Sequence, residues 1–214
     1  MITYSVIIGV ITAYLIGSIA TSVWIGRIFF GVDIRTKGSG NAGATNTIRV
    51  LGTRQGLIVL ILDVFKGWLA VFLGKFFVPD FYLDFQRVNY DLVLALAAVL
   101  GHIFPIYIGF KGGKGVATLV GVIIALYFSS FFILLGVFLI VLISSGYVSL
   151  SSITTAIAFP FICIFLFKVH YPSLIIFSIL IAIFVPFTHK KNIIRLLNGT
   201  ENKFKLKKKK RYNE

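Results

Sequence analysis

Long apolar runs constrain this sequence more than any other feature. They occupy about residues 2–26, 57–78, 92–109, 116–143, 147–167 and 171–187 of a 214-residue chain. Roughly 20 helical residues cover the roughly 30 Å hydrocarbon core of a bilayer, so five of the runs suit one crossing each. The fourth is longer, and it suits either one tilted helix or two short ones broken around Ser129-Ser130 and Gly136. The linkers leave no room for a separate soluble domain. Residues 1–201 therefore read as a single membrane domain and 202–214 as a polybasic tail. Composition agrees: mean hydropathy is +0.97 and 13% of residues are charged, half the roughly 25% of an ordinary soluble domain. A net charge of +14 on such a chain excludes both a disordered tail and a soluble nucleic-acid module. The charge must face something anionic.

Charge also orients the spans. Arg27, Arg35, Lys37, Arg49 and Arg54 follow the first run, Lys111 and Lys114 follow the third, and ten more basic residues follow the last. The loop after the second run instead carries Asp80, Asp84 and Asp91. Cationic loops stay in the cytoplasm. A cytoplasmic Lys111 loop and a cytoplasmic tail are joined only by an even number of crossings, so the fourth run contributes two or none. The expectation is an all-α, polytopic bundle of seven helical segments, N-terminus out and C-terminus in, with the fourth and fifth short. No positive charge precedes the first apolar run and Arg27 follows it, which predicts a retained span rather than a cleaved leader. Within the second run, Asp63 and Lys66 are spaced to pair on one helix face, the least costly way to carry charge in lipid. Cys163 stands alone in an apolar run and reads as a buried structural thiol.

Three polar islands fall on the cytoplasmic side. In the first, Gly38, Gly40 and Gly43 alternate with Ser39, Asn41, Thr45 and Asn46, and Arg49 follows. Glycines let successive N–H groups turn toward one point, which with the hydroxyl and amide donors makes an anion nest. Arg49 adds a guanidinium able to clamp a phosphoryl group at two points. The second island contains His102 and then Lys111-Gly112-Gly113-Lys114-Gly115, leading into an apolar helix. It lacks the spacing of an ATP-binding loop, because Ile108 stands where that pattern has glycine and Gly115 where it has Ser or Thr. A phosphate still suits it. For His102, helix capping and catalysis are both open. In the third island His189, Asn192 and Arg195 step by three against Ile193, Ile194, Leu196 and Leu197, the pattern of an interfacial amphipathic helix.

The acids are sparse, and the Asp80/Asp84 pair falls on the other membrane face, so no metal and no cofactor is expected. Cationic, donor-rich loops without carboxylates suggest phosphate, and the surrounding helices suggest a lipid tail. An organophosphate transporter is the chief rival, but transporters show internal repeats with a midplane site, and no repeat is present. A lipid-binding scaffold is the second, though bulk charge would serve it without constrained glycine loops.

Gly17-Ser-Ile-Ala-Thr-Ser22, the stretch from Gly38 to Arg49, Phe110 to Thr118 and His189 to Glu201 together resemble the bacterial acyl-phosphate:glycerol-3-phosphate acyltransferase family. Ala20 stands where that family usually has proline. The resemblance implies transfer of a fatty acyl group from acyl phosphate to the 1-hydroxyl of sn-glycerol 3-phosphate. The products would be lysophosphatidic acid and inorganic phosphate, made at the cytoplasmic side of a bacterial cell membrane. A soluble enzyme that makes acyl phosphate becomes the metabolic partner, membrane lipids the surroundings. By motif position Ser39, Arg49, His189 and Asn192 are implied as catalytic. Gly38, Gly40, Asn41, Thr45, Lys111, Gly112, Gly113, Lys114 and Gly115 are implied as phosphate-binding. Glu201, with Asp63 and Lys66, is the structural support. The base is left open between His189 and a substrate phosphate, with phosphate favoured because no carboxylate is evident to orient the histidine.

Overall fold

The computed structural model describes residues 4–78 and 83–204. Asp80 and the polybasic tail beyond Phe204 lie outside them. Among the described residues the regular structure is helical throughout, with no strand, as the apolar periodicity predicts. The helices are α1 (Tyr4–Gly17), α2 (Thr21–Phe30), α3 (Ala44–Leu51), α4 (Thr53–Phe72), α5 (Asp84–Ile103), α6 (Val116–Leu126), α7 (Phe128–Ser145), α8 (Val148–Phe161), α9 (Pro172–Thr188) and α10 (Lys190–Leu197). Segments Thr53–Phe76, Asp84–Ile108, Phe128–Ser145 and Val148–Leu166 are each long and apolar enough to cross a bilayer. The pairs α1–α2 and α9–α10, bent by 44° and 62°, reach that length only when each pair is taken together.

The chain divides into two compact units. The first holds, of the described residues, 4–78 and 93–125. Its helices approach closely because glycine lies at the crossings. A Cβ on Gly17 would strike the Ala98 carbonyl, one on Gly101 that of Tyr14, one on Gly67 that of Thr118 and one on Gly121 that of Val64. Without a hydrophobic force between helices in lipid, such backbone proximity supplies the attraction. Between α1 and α2 the chain leaves the helix at Ser18–Ala20, and of the backbone the Ile19 carbonyl keeps only the local Thr21 N–H, at 3.1 Å. Irregular backbone at this depth needs a partner in the protein. Lys66 Nζ provides it, donating to Ile19 O at 2.7 Å while pairing with Asp63 Oδ1 at 2.9 Å. The spacing of Asp63 and Lys66 thus yields the expected ion pair, both side chains being almost fully buried.

The second unit holds 83–92 and 126–204 among the described residues. Here α8 packs between α7 and α9, and α10 rests on α8 and α9. Pro160 is followed by a π-helical turn at Ile162–Leu166 that carries the fully buried Cys163. One detail of the sequence reading changes. The fourth run breaks at Tyr127, and Ser129, Ser130 and Gly136 all lie inside α7. The fourth segment, α6, is short at 11 residues, but the fifth, α7, has 18 and can cross the bilayer alone. Tertiary packing places that break. The Tyr127 ring sits 4.8 Å from that of Phe159, and its hydroxyl donates to Leu174 O at 2.7 Å. Serine and glycine by themselves do not end a membrane helix.

Candidate active site

The first loop is built around a buried amide. Asn46, 1% exposed on α3, donates from Nδ2 to the carbonyls of Ile34 and Lys37, both at 3.0 Å. Its Oδ1 accepts the Ser39 N–H at 2.8 Å. The chain therefore wraps the asparagine, and Gly38 and Gly40 take left-handed φ of 63° and 75° to let it do so. A Cβ on Gly38 would collide with Asn46 Oδ1. This leaves Ser39 and Thr45 exposed and Asn41 and Arg49 half-buried. Thr45 and Arg49, four residues apart on α3, share a face.

At the loop's entry, Asp33 caps the turn Ile34–Thr36 by accepting the Arg35 N–H at 2.9 Å. Its carboxylate also receives Arg35 Nη2 at 2.9 Å and Arg27 Nη2 at 2.7 Å. The Arg35 hydrogen bonds hold the Asp33 carboxyl below the usual carboxylate range, against partial burial, and Asp33 in turn raises the Arg35 guanidinium. Arg35 then reaches the second loop: its Nη1 donates to the carbonyls of Ile108 at 3.0 Å and Lys111 at 3.3 Å. The second loop also touches the first at Gly113, where a Cβ would lie 2.7 Å from Ala42 O. Two loops some seventy residues apart in sequence are thus fastened together.

The second loop spends two of its N–H groups on the end of α5. Gly112 donates to Ile103 O at 3.0 Å and Gly113 to His102 O at 3.2 Å, which curls the chain back over the end of α5. Phe110 sits at a left-handed φ of 59°, a conformation that costs a bulky residue about 1 kcal/mol or more. Gly115, at φ 80°, turns the chain into α6. Lys111 is exposed and Lys114 half-buried. The Gly112 and Gly113 amides are thus already spent, which leaves the lysine side chains and the opening turn of α6 as the donors that face outward from this loop.

The third island belongs to the second unit. His189, 4% exposed, ends α9 with Nδ1 2.8 Å from Val185 O. A carbonyl only accepts, so Nδ1 carries a proton. Glu201 gathers this region. Its Oε1 accepts from Asn192 Nδ2 at 2.6 Å and Ser149 Oγ at 2.8 Å, and its Oε2 accepts from Arg195 Nε at 2.6 Å. Partial burial pushes its pKa up, but the bonds from Arg195, Asn192 and Ser149 outweigh it and leave the carboxyl below its ordinary range. Because the carboxylate takes the amide N–H, the orientation of Asn192 is fixed.

Sequence reasoning missed two of these contacts. The Arg35–Asp33 tie had one signal, since Asp33 is the lone acid among the five basic residues of that loop. Ser149 had none.

The sequence model of the glycerol-3-phosphate acyltransferase family matches residues 7–199. The chain belongs to that family. A glycerol-3-phosphate acyltransferase of Fusobacterium nucleatum is 47% identical over 197 residues, covering 92% of this chain and 96% of the relative. One of Chlorobaculum tepidum is 40% identical, covering 95% and 97%. Among solved structures, the family member PlsY, an integral membrane glycerol 3-phosphate acyltransferase, superposes in its glycerol 3-phosphate form with a TM-score of 0.82. The two are 39% identical, and the match covers 94% of this chain and 96% of that one. Its lysophosphatidic acid form gives 0.79 at 38% identity, with the same coverage. The resemblance drawn from the glycine, lysine and histidine motifs is thereby borne out, and the chain is an integral membrane protein of this family.

Proposed function

We propose that the protein is a membrane acyltransferase that moves a fatty acyl group from acyl phosphate to the 1-hydroxyl of sn-glycerol 3-phosphate. Lysophosphatidic acid and inorganic phosphate leave. The fastening of two cationic, donor-rich loops by Arg35 within one unit carries this reading, because it concentrates phosphate-binding groups in one place. Family membership supplies the reaction class.

The chemistry asks little of the protein beyond position and charge. The glycerol hydroxyl oxygen attacks the acyl carbonyl carbon, the bond from that carbon to the phosphate oxygen breaks, and phosphate leaves with the electron pair. A mixed anhydride is already activated, so orienting the partners and stabilising the departing charge supply most of the rate. Ser39, Asn41, Thr45, Arg49, Lys111 and Lys114 are the donors we assign to the two phosphates. Gly38, Gly40 and Gly112 to Gly115 give the loops their shape. The family resemblance adds His189 and Asn192 to the residues of the reaction, with Glu201, Asp63 and Lys66 in support. No carboxylate orients His189, but Val185 O, 2.8 Å from Nδ1, holds the ring and supports the histidine as the base. We accordingly assign the hydroxyl proton to His189.

In this reading residues 1–201 form one catalytic domain, the N-terminus faces out, and the reaction faces the cytoplasm, where a soluble enzyme supplies acyl phosphate. The test is purified protein with acyl phosphate and labelled glycerol 3-phosphate, without coenzyme A or added metal. Lysophosphatidic acid must form, and a product appearing only with acyl-coenzyme A overturns the donor. For the base, His189→Ala should lower kcat at least 100-fold and regain part of it with imidazole. A variant that keeps most of its kcat returns the role to a substrate phosphate.

A further inference from the structure

His102 belongs to no part of the mechanism above, yet it sits between a buried charge pair and the second loop. One side of its ring faces the loop: a Cβ on Gly113 would strike Nε2, and one on Gly112 would strike the His102 carbonyl. The same carbonyl accepts the Gly113 N–H, and the carbonyl of Ile103 accepts that of Gly112. On the other side Nδ1 is buried without a hydrogen-bond partner, 3.8 Å from Asp63 Oδ1. Asp63 is itself held, accepting from Thr21 Oγ1 at 2.7 Å and from Lys66 Nζ at 2.9 Å. Nothing about a plain helix end calls for this arrangement. An unsatisfied buried ring nitrogen is costly, and in native proteins such a group calls for an explanation. A leucine or phenylalanine would fill the space without that cost.

We propose that His102, seated by Asp63, is a positioning residue for the Phe110–Gly115 loop. Its ring sets the height at which Gly112 and Gly113 lie, and so where Lys111 and Lys114 meet the glycerol phosphate. It does not touch substrate. Asp63, held by Thr21 on α2 and by the Lys66 pair, stands 3.8 Å from Nδ1 and bounds the ring on that side. The inference rests on the proposed role of the second loop in binding glycerol 3-phosphate, and it assigns the control of that affinity to a charge pair within the membrane helices.

Two readouts test it. In His102→Ala, KM for glycerol 3-phosphate should rise about tenfold with kcat within about twofold, because the loop sags but the reacting groups stay. His102→Gln, whose Nε2 falls near the position of the ring Nε2, should recover most of the affinity. Asp63→Asn should show the same split as the alanine variant, in weaker form. Independently of any activity, amide exchange of the peptide covering 109–115 should quicken at least tenfold in His102→Ala, while exchange in α4 stays as in the native protein. A fall in kcat with KM unchanged overturns the proposal, as does native-like exchange in the loop. If His102→Ala does not fold, His102→Gln and Asp63→Asn carry the same two readouts. Should the native protein make no lysophosphatidic acid, faster exchange still supports the positioning role, and the failure then belongs to the functional assignment alone.

Discussion

Removing the Asn46 amide would strand three backbone groups at once: the Ser39 N–H and the carbonyls of Ile34 and Lys37. Each buried bond is worth about 1 kcal/mol, so Asn46→Ala should lower stability by about 3 kcal/mol and abolish activity with it. Ser39→Ala deletes an exposed hydroxyl, and should cost activity while leaving stability within about 0.5 kcal/mol. Thermal unfolding in detergent beside the acyl-transfer assay separates the two. The pH dependence follows from the carboxylates. Asp33 and Glu201 are held below their ordinary values of 3.8 and 4.5. Their contribution is therefore complete above those values and is lost as pH falls through them toward the folded-state values. Unfolding temperature measured from pH 7 to 3 should drop in that acid range, and Glu201→Gln should flatten part of the drop. The glycine spacing made the loop legible in sequence. The role of Asn46 was not legible, because one donor among several in a polar stretch carries no mark of burial.

Helix contacts divide the glycines into two kinds. Gly121 on α6 lies against the Val64 carbonyl of α4, whereas a Cβ on Gly136 of α7 would meet nothing within 4 Å. Gly121→Ala should cost about 1–3 kcal/mol by forcing the two backbones apart. Gly136→Ala should be neutral, or stabilising by up to about 1 kcal/mol through helix propensity. Thermal unfolding of the two variants checks the contrast, and equal effects would refute the packing account. In sequence the two glycines look alike, each inside an apolar run. The helices themselves were legible because lipid demands long apolar stretches, and the Asp63–Lys66 pair followed from its spacing of three. The break at Tyr127 was not, because it depends on a ring and a carbonyl contributed by α8 and α9.

For the whole molecule, hydropathy and loop charge settle class and imply a sidedness that labelling can check. Cys163 is the single cysteine, so a Cys163→Ser background accepts one reporter cysteine at a time. A cysteine at Asp84 should react with an impermeant maleimide in intact cells, and one at Lys191 only after lysis. The reverse pattern refutes the N-out, C-in arrangement. The family was legible because three motifs recur in fixed order. What fastens the loops was not: the Arg35 contacts span more than seventy residues, and no local pattern records an approach of that length.

The bend between α1 and α2 also has a bearing on biogenesis. Ile19 and Thr21 leave the ribosome well before Asp63 and Lys66, which later answer the Ile19 carbonyl and the Thr21 hydroxyl. During that interval the Ile19 carbonyl has only the local Thr21 N–H, at 3.1 Å, and the Thr21 hydroxyl lacks its carboxylate partner. The bent pair of α1 and α2 therefore completes its contacts only once α4 has been made. Their final shape waits for the second span, and a chain cut between Phe30 and Asp63 should be a substrate for membrane quality control rather than a stable fragment.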